Sequence, residues 1–307
     1  MKKLSFIIAM AFVTFMAMAQ NSAVISTTGD YNDAFITQGI SNNNTASILQ
    51  VQNAAPLYHS LAQITQEASS WGKITQYDTR NYATIGEKLN DKAEIFQNGS
   101  VNNSNISFNY GMGNNAAYVQ QVGTYNGGYI YSTSQHNGYV NPLTIVQNGN
   151  SNNGIIESGW NAPTSNYNDA SITQTGDNNK SKVRQEGGDV NVASVAQTGN
   201  NDEANLLQHG TYLKATITQL GGNGNIVNLD QTGGVATIYQ NGSSNIVRGL
   251  KDPVLLTQDP LALFAGSTLD VNQLGQGNTL DLKSTTPGSI VNVFQNGMLN
   301  KSMVIQN

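Results

Sequence analysis

The sequence predicts an all-β chain wound as a parallel solenoid. Three observations carry that expectation: apolar residues alternate at period two, turn residues follow at a fixed offset, and the two recur together. The pattern is clearest between Ala170 and Gln219, where ASITQTGDNNKSKVRQ, ASVAQTGNNDEANLLQ and ATITQ succeed one another. Ala170, Ile172 and Gln174 fall on one face of a strand, because residues i, i+2 and i+4 share a face. Gly176 and Asn179 follow as turn chemistry, since Gly accepts positive φ and Asn tolerates it. Ser181, Val183 and Gln185 then form a second alternating triplet. The unit is strand, arc, strand, and it recurs at roughly 22 residues, a period that marks stacked repeats.

The chain opens with Lys2 and Lys3, an apolar run from Leu4 to Met18, and small residues at Ala17-Met18-Ala19. That order reads as a secretory signal peptide over residues 1–19, too short for a membrane span. Residues 20–307 are expected to form a single solenoid. Without Lys2 and Lys3 the 14 basic residues fall to 12 against 19 acidic, a formal charge of −7. Charged residues make up only 11% of the sequence, well below the usual level of about 25%. This composition suits a chain that associates. The acidic balance and scattered cations argue against nucleic acid, which needs a basic stripe. There is no Cys, so crosslinking and thiolate metal ligation are excluded. No cofactor or metal site is expected.

Repeats begin at Ala23, Ile25 and Thr27, followed by Gly29, Asn32, Ala34, Ile36 and Gln38. Ala46, Ile48 and Gln50 keep the phase, and after Pro56 it returns at Ala62, Ile64, Gln66 and at Gly72, Ile74, Gln76. Ala83, Ile85 and Glu87 put an acid where Gln is usual. Further units run through Gln97 and Asn102, Gln121 and Asn126, and Gln147 and Asn152. After Gln174, Asn179 and Gln185 come Gln197, Gln208, Gln219, Gln231, Gln240 and Asn245. The rhythm weakens over Arg248–Gly266, where Val254, Leu256 and Gln258 read as an isolated strand. It closes through Gln273, Asn278, Gln295, Asn300 and Gln306. The sum is about 12 repeats, interrupted by irregular insertions near 51–60, 109–115, 132–141, 158–168 and 248–267. Pro142 and Pro253 stand just before strand triplets, and Pro56, Pro163 and Pro287 in connections, as a residue that cannot donate to a ladder should.

Such a unit cannot bury its apolar face alone. Stacked at about 4.8 Å per rung, about 12 units make a rod roughly 55 Å tall. The recurring Gln at strand ends and Asn in arcs point inward in this reading. Each amide would donate to its copy on one side and accept from its copy on the other. Those Gln and Asn residues, from Gln38 to Gln306, are the candidate functional set. Open edges at both ends would let copies add in a non-closing contact that makes filaments.

The pattern Gln-x-Gly-x-x-Asn-x-Ala, then apolar, then Gln resembles the curlin repeat of curli fibre subunits. It is fullest at Gln174–Gln185, with Ser181 for Ala, and at Gln197–Gln208, with Asp202 for Asn. The resemblance implies an extracellular functional amyloid of the biofilm matrix, exported through an outer-membrane pore. Its partners would be copies of itself and a second curli-type subunit. The chain has more repeats than the familiar five-repeat subunits. Its Ala-x-Ile-x-Gln strands, as at Ala34–Gln38, resemble the minor, nucleating subunit somewhat more than the major one, and both subunit types stay open.

Other motifs read more plainly. Gly221–Asn225 lacks the Asp and the iteration of a calcium-binding nonapeptide repeat, so it reads as a Gly-rich arc. His59, His136 and His209 lack ligand spacing and read as surface or arc residues. Asp177, Asp189 and Asp202 are expected to keep the arcs solvated, whereas Glu87 would be a buried carboxylate. Thr37, Thr65, Thr75, Thr173, Thr218 and Thr257 precede Gln on the outer face, where they suit β-structure. Tyr125–Tyr139 reads as an adhesive or solvated loop. Two competing functions remain: a β-helix carbohydrate-active enzyme, which needs converging carboxylates, and a monomeric surface adhesin, which needs an anchor.

Overall fold

The computed structural model describes residues 21–39, 43–52, 59–109, 114–133, 141–160, 167–249, 261–263, 267–284 and 287–306. The expected signal peptide, Pro56, His136, Pro163 and the Val254–Gln258 strand lie outside them.

Among the described residues all regular elements are strands, and each rung contributes one strand to each of two sheets. The first four rungs are β1 (Ser22–Thr28) with β2 (Asn32–Gln38), β3 (Thr45–Val51) with β4 (Ser60–Ala68), β5 (Trp71–Tyr77) with β6 (Tyr82–Leu89), and β7 (Lys92–Asn98) with β8 (Asn103–Phe108). Next come β9 (Asn115–Val122) with β10 (Gly127–Ser132), β11 (Asn141–Asn148) with β12 (Asn153–Trp160), and β13 (Asp169–Thr175) with β14 (Lys180–Glu186). Then follow β15 (Val192–Asn200) with β16 (Glu203–His209), β17 (Lys214–Asn223) with β18 (Ile226–Gln231), and β19 (Val235–Ser243) with β20 (Ile246–Gly249). After β21 (Leu261–Leu263), the chain ends with β22 (Thr268–Gln276) and β23 (Thr279–Ser284), then β24 (Ile290–Met298) and β25 (Lys301–Gln306).

The first sheet runs β1-β3-β5 and onward to β24, and the second runs β2-β4-β6 to β25. This is a parallel β-solenoid, the class read from the period-two triplets. Register is strict because a slip of one residue would turn every buried side chain outward. Ala170 pairs with Ala193, Ile172 with Val195 and Gln174 with Gln197. The next step repeats this with Ala215, Ile217 and Gln219. The core is therefore a column of small residues beside a column of Ile, Val and Leu in each sheet. Each fully buried aliphatic side chain contributes about 1.5–3 kcal/mol of transfer free energy.

The insertions are narrower than their sequence limits, because strand positions claim their edges. Ser132 ends β10, Ser158 lies in β12, and Arg248 lies in β20. β20 is short and covers only Ile226 and Val227 of β18. β21 completes that rung by pairing with Leu229–Gln231. Pro142 is the second residue of β11, paired with Ala116 and exposed, rather than outside the strand.

The arcs correct one sequence expectation. Positive φ falls on the Gly and on the residue before the recurring Asn, as at Gly176 (φ 107°) and Asn178 (φ 59°). Asn179 itself is buried, so its amide and not its backbone tolerance explains its position. The Gly is required for a second reason. A Cβ on Gly176 would stand 2.0 Å from the carbonyl oxygen of Gly199 on the next rung. Gly176→Ala is therefore expected to lower the guanidinium unfolding midpoint, by a shift equivalent to at least about 2 kcal/mol of unfolding free energy. The exposed Thr173→Ala should stay within about 0.5 kcal/mol, and equal midpoints for the two would contradict this packing.

Candidate functional site: buried amide ladders

Eleven glutamines of the first sheet form one continuous column. From Gln50 through Gln76, Gln97, Gln121, Gln147, Gln174, Gln197, Gln219, Gln240 and Gln273 to Gln295, each Nε2 donates to the next Oε1 at 2.6–3.0 Å. All ten bonds point the same way, toward the C-terminal rung. An unpaired buried amide costs about 1–3 kcal/mol, so the column holds only as a whole.

Each Nε2 has a second proton, and it crosses the core. Gln147 donates to the Gly127 carbonyl at 2.8 Å and Gln174 to Asn153 at 3.0 Å. Gln197 reaches Lys180 and Gln219 reaches Glu203, both at 3.1 Å. The acceptor is always the first residue of the facing strand or its neighbour, so one side chain ties rungs together and also clamps the two sheets. Nothing in the spacing of Gln announced this second bond.

The second sheet carries two shorter runs. Gln38 donates to Gln66 at 3.0 Å, and Gln66 donates to Glu87 Oε2 at 2.7 Å. Gln185 donates to Gln208 at 3.1 Å, and Gln208 to Gln231 at 2.9 Å. Between them Phe108, Ser132 and Ser158 occupy the same register. Ser158 Oγ and Gln185 Oε1, facing this gap, are buried without a partner among the described residues. Gln306 stands at the register of Ser284.

Asparagines build the arcs in the same manner. Asn102, Asn126, Asn152 and Asn179 each donate a backbone N–H to the Oδ1 of the column member one rung earlier, at 3.0–3.1 Å. Asn245, Asn278 and Asn300 continue the column at 3.1–3.2 Å. Each interior Nδ2 reaches the Gly carbonyl of the next rung, as Asn152 does to Gly176 at 2.7 Å and Asn126 to Gly149 at 2.8 Å. This explains the spacing Gly-x-x-Asn: the left-handed Gly presents the carbonyl that the neighbouring rung's Asn needs. Asn81 and Asn225 belong to this column as well. A second column in the opposite arcs, including Asn44, Asp91, Asn115 and Asn191, was not evident from the repeat.

Asp202 corrects the expectation of a solvated arc acid. It is 1% exposed and holds an Asn position, receiving the Asn225 N–H at 2.9 Å and Nδ2 at 3.1 Å on Oδ1. Its Oδ2 is buried without a partner among the described residues, where an Asn would donate. Burial pushes its pKa up to about 6. Glu87 is 2% exposed, and desolvation raises its pKa to about 8, assisted by the nearby Asp91 and opposed by the Gln66 hydrogen bond. Its Oε1 has no hydrogen-bond partner among the described residues. His59 and His209 lie at the surface against Asp33 and Glu186. Tyr129 and Tyr131 belong to β10, not to a loop. Gly221 and Gly222 form an arc that ends on the ladder residue Asn225.

The fold and its columns define a class: a stacked parallel solenoid held by side-chain amide ladders. The family model of the curlin associated repeat matches residues 199–233, which span Gly199, Asp202, Gln208, Gln219, Asn225 and Gln231 of the columns above. This stretch of the solenoid is similar to the curlin associated repeat. No curated protein matches it.

The buried acid sets a pH dependence. A carboxyl whose folded pKa lies above its unfolded value holds its full stabilisation at low pH and loses it as pH rises through the folded pKa. For Glu87 the loss runs from about pH 4.5 to about pH 8. It reaches on the order of 3 kcal/mol by pH 7. Glu87→Gln should match wild type in denaturation midpoint near pH 4 and exceed it progressively toward pH 8. A gap independent of pH would contradict the buried-acid account.

Proposed function

We propose that this chain is a secreted structural subunit that polymerises into curli-like amyloid fibres of the extracellular matrix. One observation carries the reading: two sheets of parallel strands, bound from rung to rung by repeating amide columns, terminate in edges that have no partner on their outer side among the described residues. An edge strand presents a row of donors and acceptors that another strand satisfies. Identical rungs make the added strand's side chains fit the same columns, which is the cross-β arrangement. The curlin repeat is in keeping with a fibre outside the cell, and a second curli-type subunit and an outer-membrane export pore are the partners this reading proposes.

A carbohydrate-active β-helix enzyme is less well supported. Among the described residues Glu157, Glu186 and Asp230 do gather on neighbouring rungs, but a chain of contacts with Lys182, Arg184 and His209 engages each of them. Others, such as Glu94 with Lys73 and Asp281 with Arg248, lie apart. An adhesin reading has no specific observation in its favour.

The test is assembly from denaturant. Residues 20–307, diluted into buffer at micromolar concentration, should bind thioflavin after a lag, and preformed seeds should shorten that lag. Aligned fibres should diffract at about 4.8 Å along their axis. A chain that stays monomeric for days, with or without seeds, contradicts the proposal.

A further inference from the structure

We infer that the C-terminal edge of one copy, β24 and β25, docks on the N-terminal edge of the next, β1 and β2, in the register that places Lys301 beside Asp33 and Met303 beside Phe35. The inference rests on the polymerising subunit proposed above and specifies its interface.

Successive rungs keep the inward triplets in phase along both sheets. A further rung laid on β24 and β25 must keep that phase or turn its buried residues outward. If β1 and β2 of a second copy supply it, Val291, Val293 and Gln295 meet Ala23, Ile25 and Thr27. In the second sheet Ser302 and Val304 meet Ala34 and Ile36, and the Gln306 position meets the Gln38 position. The small, aliphatic and polar columns all continue. Asn300 Nδ2 donates to Asn278 Oδ1 at 2.9 Å and to the Asn296 carbonyl at 3.0 Å, and the interior Asn126, with the equivalent contacts, also reaches the next rung's Gly carbonyl. The matching carbonyl on the incoming copy is that of Gly29, which has the same left-handed φ, 92°.

The outward positions choose the partner. Within the chain, ion pairs at one register join opposite charges on adjacent rungs: Lys73 with Glu94, Glu67 with Lys88, and Arg248 with Asp281. The junction continues this with Lys301 against Asp33, whose other side faces His59 at 3.2 Å. Next to that pair, Met303 (66% exposed) meets Phe35 (55% exposed). A thioether beside an aromatic ring is favourable, and both are large apolar groups left in water in the single copy. The one-way run of Gln donors gives the contact a direction, because two C-terminal edges brought together would pair antiparallel, out of register with the parallel columns.

Cysteine crosslinking tests the register, since the chain has no Cys of its own. Neighbouring parallel strands hold Cα atoms about 4.8 Å apart, within the span a disulfide bridges. Fibres of the double variant Phe35→Cys/Met303→Cys, oxidised and run without reductant, should give a ladder of covalent oligomers. Each single variant should stay monomeric on the same gel. As a second arm, Asp33→Lys or Lys301→Asp should each slow seeded elongation several-fold at low salt, and the combined swap should restore it. Dimers from Met303→Cys alone, or normal double-variant fibres with no covalent ladder, overturn the register while leaving polymerisation intact. Elongation unaffected by either charge reversal overturns it likewise. If wild type forms no fibres, the polymerising reading fails, and this inference with it.

Discussion

A primary amide buried in an aliphatic core must use both its protons and its oxygen, and that constraint shapes this molecule. Two strands facing each other cannot satisfy it within one rung. The solution is repetition: Gln174 gives one proton to Gln197 and the other to the Asn153 carbonyl, and its oxygen takes the Gln147 proton. The rung spacing of about 4.8 Å comes from the backbone, and the side chain is long enough to use it. Asn in the arcs applies the same logic with a shorter reach, which is why it needs a Gly carbonyl brought close by left-handed backbone.

The same constraint locates the weak points. Where Phe108, Ser132 and Ser158 replace Gln, the second sheet has no amide column, and Gln185 begins a new run with its oxygen unanswered. The first sheet is unbroken past that level, so the two sheets differ in continuity. Glu87 and Asp202 enter columns as acceptors only. Each fits its neighbour on one side and leaves an oxygen without a donor on the other. Desolvation of the charged form raises both groups, and protonation removes that buried charge.

Much of this was legible in the sequence because period two and period 22 are local, countable signals. The triplet Ala170, Ile172, Gln174 identified the strand, its inward face and its register with the next repeat. Other features depend on what sits across the core or in the adjacent rung. The clamp from Gln147 to Gly127 links residues 20 apart through the facing sheet, and no motif encodes it. Asp202 looked like a surface acid because arcs are usually wet, although its place in the Gly-x-x-Asn frame is a buried one. The second column was hidden because Asn44, Ser70, Asp91 and Leu213 share a position without sharing chemistry. Insertion limits were too wide for a related reason: Ser132 and Ser158 break the Gln pattern while keeping the strand.

Side-chain amide exchange measures the ladder itself. In the folded chain, hydrogen exchange read by NMR should show the Nε2 protons of Gln147, Gln174 and Gln197 protected to the same degree as the backbone amide of Ile172. The exposed Gln63 in β4 should exchange freely. If the column glutamines exchange as fast as Gln63 while the backbone of Ile172 stays protected, the sheets stand without the amide columns and the account is wrong.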